Sequence, residues 1–429
     1  MATRLSLSLV FLSATVLPVN ADPIEIVPAI ADMSSPLERV DVKPVDANVQ
    51  PVAAPTATET LPVTNLTGSP CTPPTNYRTP RLWVDAEILR WWIPNGPLKA
   101  PLVTSGDPAD GVLAGALGQA GTRVLFGGND INYGRTNGFR LMAGGWMGDE
   151  PIGMEAGVLW LDSRTVSFAA SSNDLPALFL PIANVLTGNE GLVTVGNPAT
   201  GFAGNVAIQS QSRFWAWEAN GLLALTRGTV DVNLLGGFRY ADLKESIEIL
   251  NNATDLVLPT QASMFDQFEA SNRFYGGQVG GRVNFNYDCW FVGLTAKVAA
   301  GCVWEDINIS GRTVQTAVLP APSGTFGGAV FTQPSNIGRQ SSAHFATLSE
   351  LNLRVGCQIL ECLRATVGYD LVYWDRVARP GDQIDHAINV SQSPVFATGS
   401  LVGAARPAPL HIQNDFFLQG FTAGLEFRY

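Results

Sequence analysis

The sequence predicts an all-β protein: a transmembrane, antiparallel, up-and-down β-barrel of about ten strands, twelve being the alternative count, with short periplasmic turns and long external loops. Three observations predict it. Apolar residues alternate with period two in segment after segment beyond residue 81, short and long connections take turns along the chain, and the tryptophans gather at segment ends.

The chain begins with a pattern that precedes the fold. Met1 to Ala21 carry one charge, Arg4, then an apolar run from Leu5 to Leu17 and small residues at Val19-Asn20-Ala21. This is expected to be a secretory signal peptide over 1–21, being too short and proline-broken for a spanning helix, which needs about 20 apolar residues. Residues 22–80 hold eleven prolines, seven acids and three bases with no apolar periodicity. Such a composition cannot bury enough surface to offset its ordering entropy, so a disordered, Pro-rich acidic tether is expected there.

From residue 81 to 429 the alternation sets in. Val230, Val232, Leu234, Phe238 and Tyr240 share one face, with Asp231, Asn233 and Arg239 on the other. The split recurs in Tyr275, Val279 and Val283 against Gln278, Arg282 and Asn284, and in Leu351, Leu353 and Val355 against Glu350, Asn352 and Arg354. Strands are expected near 82–92, 138–147, 152–162, 213–225, 230–241, 273–287, 290–303, 345–357, 363–374 and 416–429. Each is long enough to cross a bilayer at the usual tilt, which takes about 9 to 11 residues. The turns near Gly148–Pro151, Thr226–Thr229, Asp288 and Ile359–Glu361 are short, whereas 93–137, 163–212, 242–272, 304–344 and 375–415 read as loops of about thirty to fifty residues.

Aromatic rings of such barrels collect at the two water–lipid boundaries, and Trp83, Trp91, Trp92, Trp160, Trp215, Trp217, Trp290, Trp304, Trp374 and Tyr429 are assigned there. The final strand alternates through Phe421, Ala423, Leu425 and Phe427 to a terminal aromatic, Tyr429. It is similar to the signal that outer-membrane proteins present to their insertion machinery, which is expected as a partner together with outer-membrane lipid. Location in the outer membrane of a Gram-negative-type bacterium follows as an expectation.

Several stretches resemble the family called putative beta-barrel porin-7, a group of bacterial outer-membrane proteins. They are LWVDAEILRWW at Leu82–Trp92, GTRVLFG at Gly121–Gly127, Phe238-Arg239-Tyr240, FYGGQ at Phe274–Gln278, PSNIGR at Pro334–Arg339, RPGDQID at Arg379–Asp385 and GLEFRY at Gly424–Tyr429. The resemblance covers 81–429, implies a barrel, and brings no catalytic or binding residues with it.

Charge and chemistry bound the function. The formal charge is −11 from 26 bases and 37 acids, and −12 without Arg4, with no basic run for phosphates, so nucleic acid is excluded as a partner. The only histidines, His344, His386 and His411, fall in loops or at their edges without metal-ligand spacing, and no serine-hydrolase elbow, phosphate loop or dinucleotide fingerprint is present. No enzyme, metal or cofactor is expected. Asp382 and Asp385, like Asp107 and Asp110, read as Asx-turn acids, with a local Arg–Asp contact in the run Arg379–Asp385. Five cysteines leave an odd thiol; Cys357 and Cys362 can bridge across a tight turn if their Cα atoms approach within about 7 Å, and Cys289 with Cys362, or Cys71 with any of them, stay open.

The expected lumen face carries Asp85, Glu87, Arg140, Glu155, Glu218, Asp231, Arg239, Arg282, Lys297, Glu350, Arg354, Arg364 and Asp370, joined by Glu426 and Arg428. Acids and bases nearly balance, so a paired charge network closing a narrow lumen is preferred to a conducting path, which would show an excess of one sign. Apolar loop words such as Leu175–Pro181 and Phe326–Phe331 predict strands that rise above the membrane and loops that pack on one another, or contact a surface protein. The functional expectation is a structural or surface-interaction barrel, with a narrow porin for small solutes as the alternative and, third, an outer-membrane enzyme whose only base candidates are His344, His386 and His411.

Overall fold

The computed structural model describes residues 81–429 apart from 108, 109, 112, 113, 149, 176, 318–321 and 398. The expected signal peptide, tether and Cys71 lie outside the described residues. Ten strands form the barrel wall: β1 (Leu82–Trp92), β2 (Arg135–Trp146), β3 (Ile152–Leu161), β4 (Phe202–Thr226), β5 (Val230–Asp255), β6 (Thr260–Tyr287), β7 (Trp290–Thr316), β8 (Gly338–Leu360), β9 (Leu363–Ala378) and β10 (Gln413–Arg428). Each pairs antiparallel with its sequence neighbour, and β10 returns to β1 through Ala86 opposite Leu425. The sheet has no open border, so every wall strand finds ladder partners on both sides, as a lipid solvent requires.

The outer surface shows where the membrane lies. On β6 the outward side chains from Tyr287 to Tyr275 include Phe285, Val283 and Val279, and the next ones are Arg273, Glu269 and Gln267. On β5 Leu234, Phe238 and Tyr240 give way to Asp242, Lys244 and Glu248. Thirteen residues at about 3.3 Å each, tilted by about 40°, make a belt about 30 Å tall, the thickness of the hydrocarbon layer.

Above this belt the polarity of the wall inverts. On β5 the inward residues change from Asn233 and Arg239 to Leu243, Ile247 and Ile249, all three almost fully buried. On β6 they change from Arg282 and Gln278 to Phe274, Ala270 and Phe268. In the membrane the barrel is apolar outside and polar inside; beyond it, water takes the place of lipid and the arrangement becomes that of a soluble protein. The strands continue through the inversion, so β4 starts at 202 and not 213, β5 ends at 255 and not 241, and β6 starts at 260 and not 273. The expected loop 242–272 is therefore a hairpin whose tip is Leu256–Pro259. The other long connections hold short strands, five of which (Pro101–Ser105, Arg123–Gly127, Leu178–Asn184, Asn189–Gly196 and Ala387–Ile388) form a separate small sheet.

The turn between β8 and β9 corrects the expected disulfide. Glu361 and Cys362 alone make the turn, so Cys357 lies opposite Ala365 and the two thiols are not bridged. Cys357 instead lies beside Cys289, with which its thiol is hydrogen-bonded, since its partner on β7 is Trp290 and the Gln358 amide donates to the Cys289 carbonyl at 2.7 Å.

Candidate functional site

The barrel interior is the candidate site, and strand parity decides what enters it. Odd residues of β1, β3, β5 and β7 and even residues of β2, β4, β6, β8, β9 and β10 point inward. The thirteen charged residues assigned to the lumen all stand on these positions. Eleven of them form ion pairs with one another. Arg140 reaches Glu87 at 2.9 Å, Asp370 at 3.3 Å and Glu350 at 3.6 Å, and Lys297 reaches Glu218 at 2.7 Å and Glu350 at 3.3 Å. Arg239 bridges Glu350 and Glu218 from a third side. Nearer the turns, Arg354 holds Asp85 and Glu87, and Arg282 grips Glu155 with both terminal nitrogens at 3.0 Å.

Asp231 and Arg364 have further partners of their own. Asp231 accepts from the Gly228 amide at 2.7 Å and from Asn286 at 2.8 Å; Arg364 donates to Gln358 and stacks over Phe291. Neutral amides complete the layer: Gln278 donates to Glu218 at 2.8 Å, Asn220 to Glu155 at 3.2 Å, and Asn352 to Asp370. Gln278 and Asn352 already stood on the polar strand face in the sequence; Asn220 escaped because sequence reasoning searched for charge, and the parity of its strand was the available signal. A buried charge network of this kind is held by mutual pairing, and losing one partner leaves an uncompensated ion.

On the loop side of the charge layer the interior is filled. Trp91 and Trp374 were assigned to the membrane boundary, but both are fully buried inside the barrel, Trp374 meeting Phe274 edge-on at 6.0 Å and Trp91 lying under the Arg140 guanidinium at 5.6 Å. Trp83 also faces inward, at the turn end, beside Trp146 at 5.8 Å. The physical reason is parity: each sits one residue from an outward position, and on both β1 and β9 the inward face itself turns apolar. Trp92, Trp160, Trp215, Trp217, Trp290, Trp304 and Tyr429 lie on the outward face.

Loop segments descend into this apolar interior. Val330 and Phe331 are fully buried, and Asp266 of β6 fixes them by accepting from the amides of Val330, Phe331 and Thr332 at 3.2, 2.9 and 2.8 Å and from the Thr332 hydroxyl at 2.7 Å. Burial pushes the Asp266 carboxyl up to about 6 despite those four donors. Arg379 makes a fully buried pair with Glu245 of β5, and Asn272 exchanges two hydrogen bonds with the Ala378 backbone at 2.9 and 2.8 Å. The expected local contact between Arg379 and an aspartate of its own run is thus replaced: Asp385 pairs with Arg406 at 2.8 Å and caps Ala387, and Asp382 accepts from Asn414. From the other apolar loop word, Leu178 and Leu180 join the same buried core, while Ala177 and Phe179 pack with Ala114 in a second cluster.

The histidines lie in this upper part. His344 hydrogen-bonds the Arg376 carbonyl at 2.9 Å, and the Nδ1 atoms of His344 and His411 each stand 3.7 Å from the buried Glu305 carboxylate. Burial lowers the proton affinity of His386. Among the described residues no hydroxyl or thiol is hydrogen-bonded to any of the three rings.

On the turn side the charge layer is the floor of a vestibule of about 560 Å³, lined among others by Trp83, Trp146, Asn284, Asn286, Arg282 and Glu350. The interior is thus an open vestibule, a layer of paired charges and an apolar fill, in that order from turns to loops.

No curated protein matches the chain. Among solved structures, the outer membrane protease OmpT from Escherichia coli is 9% identical with a TM-score of 0.39, over 82% of this chain and 98% of that one. The transport unit of the autotransporter AIDA-I from Escherichia coli is 9% identical with a TM-score of 0.23, over 83% and 93%. The family described as Putative beta barrel porin-7 (BBP7) matches residues 83–429, the whole of the wall but its first residue, and the chain belongs to that bacterial outer-membrane β-barrel family.

Proposed function

We propose that this outer-membrane barrel is a closed, non-catalytic surface protein whose loop-end head, and not its lumen, is the working part. One observation carries the reading: the lumen above the charge layer is occupied by side chains with no exposure at all, including Trp91, Phe274, Phe331, Trp374 and Phe416. A solute crossing the barrel would have to break the ion pairs and then displace this core. Ten-stranded barrels are little wider than the eight-stranded ones that side chains fill, whereas open porins use about 16 to 18 strands. Near-balance of charge in the lining also argues against an ion-selective path.

A surface role is supported by what the head presents. Leu256, Val257 and Leu258 are 63%, 77% and 60% exposed at the tip of the β5–β6 hairpin, held in a turn by Asp255, which accepts from the amides of Val257 and Leu258. Three aliphatic side chains on a rigid hairpin suit contact with another surface protein. Planar-bilayer recording of the purified barrel tests the proposal. Silent membranes are expected, and reproducible single-channel steps would establish a porin in its place.

A further inference from the structure

We propose that Cys289 and Cys357 are a disulfide-forming pair at the turn end of the barrel, closed by an oxidant that is itself a disulfide, and that the bond pins the β6–β7 turn to β8. That turn consists of Asp288 and Cys289 alone, with Tyr287 opposite Trp290 and Asp288 at a φ of 50°. The favoured two-residue hairpin turns open on such a left-handed residue. Cys289 thereby leaves the strand alternation, and parity does not commit its side chain to the lumen. Cys357 stands directly opposite Trp290, the residue after Cys289, and the Gln358 amide donates to the Cys289 carbonyl at 2.7 Å. A partner one residue off the directly opposite position lies about 5 to 6.5 Å away between Cα atoms, within the roughly 4.4 to 6.8 Å that a disulfide spans. The two thiols are already joined by a hydrogen bond, and both side chains keep part of their surface open to a reagent.

The other described cysteines stand elsewhere. Cys302 pairs with Phe345, twelve residues along β8 from Cys357, which is about 40 Å of strand. Cys362 sits in the β8–β9 turn, beyond the Leu360–Leu363 rung that ends that hairpin. The turn end of an outer-membrane barrel faces the periplasm, an oxidising compartment. There the thiolate of one cysteine attacks a sulfur of an external disulfide, held by a dithiol–disulfide oxidoreductase or a small molecule, and the displaced sulfur leaves as a thiolate. The thiolate of the second cysteine then attacks the mixed disulfide, so the Cys289–Cys357 bond forms as the mixed bond breaks. Two cysteine thiols are oxidised, one external disulfide is reduced to two thiols, and the two cysteine protons end on them. The bond closes the chain around β7, β8 and the connection between them, which restricts the unfolded chain and so favours the folded barrel.

The test is a linkage map of the full chain taken from outer membranes without reductant, its free thiols blocked with N-ethylmaleimide before digestion. A peptide pair joined through Cys289 and Cys357, and lost on reduction, is expected. Reduction should also lower, by several degrees, the temperature at which the unheated barrel band converts to the unfolded band in the parent, and should leave Cys289→Ser and Cys357→Ser where they are. The linkage map needs no variant, so it decides the matter even if a variant fails to fold. Maleimide on both Cys289 and Cys357, or a linkage of either to Cys71, Cys302 or Cys362, would overturn the proposal. So would a parent whose conversion temperature does not move on reduction, or moves no more than that of the folded variants.

Discussion

Glu350 receives Arg140, Arg239 and Lys297 at once, with 4% of its side chain exposed, so Glu350→Ala leaves three buried cations short of a partner. Breaking a buried pair typically costs about 3 to 5 kcal/mol. The unheated barrel band should convert to the unfolded band at a distinctly lower temperature than in the parent. Trp374→Ala should cost a similar 3 to 5 kcal/mol or so by emptying a packed core, whereas Trp304→Ala, at 57% exposure on the outer girdle, should change stability far less. Equal effects would refute the inward placement of Trp374. Asp266 supplies a pH-dependent prediction. Its folded carboxyl, pushed up to about 6, keeps its proton where the unfolded one, at about 3.9, has released it. Anchoring of Val330–Thr332 should therefore be strongest below about pH 4 and weaken as pH rises to about 6, then level off. Hydrogen exchange of those amides, corrected for intrinsic rate, should lose protection across that window in the parent and not in Asp266→Asn. The charged lining was legible because aspartate, glutamate, arginine and lysine announce themselves against an apolar background. Asn220 was not, since neutral amides are equally common in loops.

Each strand of β4 to β7 carries two patterns, and the join between them limited what the sequence could reveal. On β5 the apolar residues fall on even positions through Tyr240 and on odd positions from Ala241 to Ile249. A period-two reading loses phase there and reports a strand end, although the backbone ladder continues to Asp255. The girdle tryptophans misled for the same reason: Trp91 and Trp92 are neighbours, and only the inversion tells which belongs to the core. The two halves of a strand should respond oppositely to charge. Leu234→Arg, on the lipid face, should cost about 2 to 4 kcal/mol at mid-membrane depth, while Glu248→Arg, outward but above the belt, should be nearly silent. At the β8–β9 turn the register makes a second prediction. Peptide mapping of unreduced protein should show no Cys357–Cys362 linkage, and Cys362, exposed in its turn, should react readily with a maleimide.

At the level of the whole molecule, a membrane barrel and a soluble-type core are built from one closed sheet. The lower part owes its form to lipid, which forces polar side chains inward, where they must neutralise one another. The upper part is surrounded by water, and there the same wall gathers aliphatic and aromatic residues around loop segments that enter from above. Replacing Ala329–Gln333 with glycines and serines would remove Val330 and Phe331 from that core and the donors from Asp266. The expected outcome is an intact, heat-shifting barrel with a less stable head, detected as new protease sensitivity in the loops.

The sequence by itself determined the ten crossings, the turn and loop sides, and which charges face the lumen, because these follow from local alternation and from spacing, which a single pass along the chain can read. Only the tertiary structure decided that Trp83, Trp91 and Trp374 point inward, that Arg379 pairs with Glu245 and not with an aspartate of its own run, and that the loop half of the lumen is filled. Those outcomes depend on which solvent surrounds the wall at a given height and on groups more than a hundred residues apart, and neither is encoded in the pattern of neighbours.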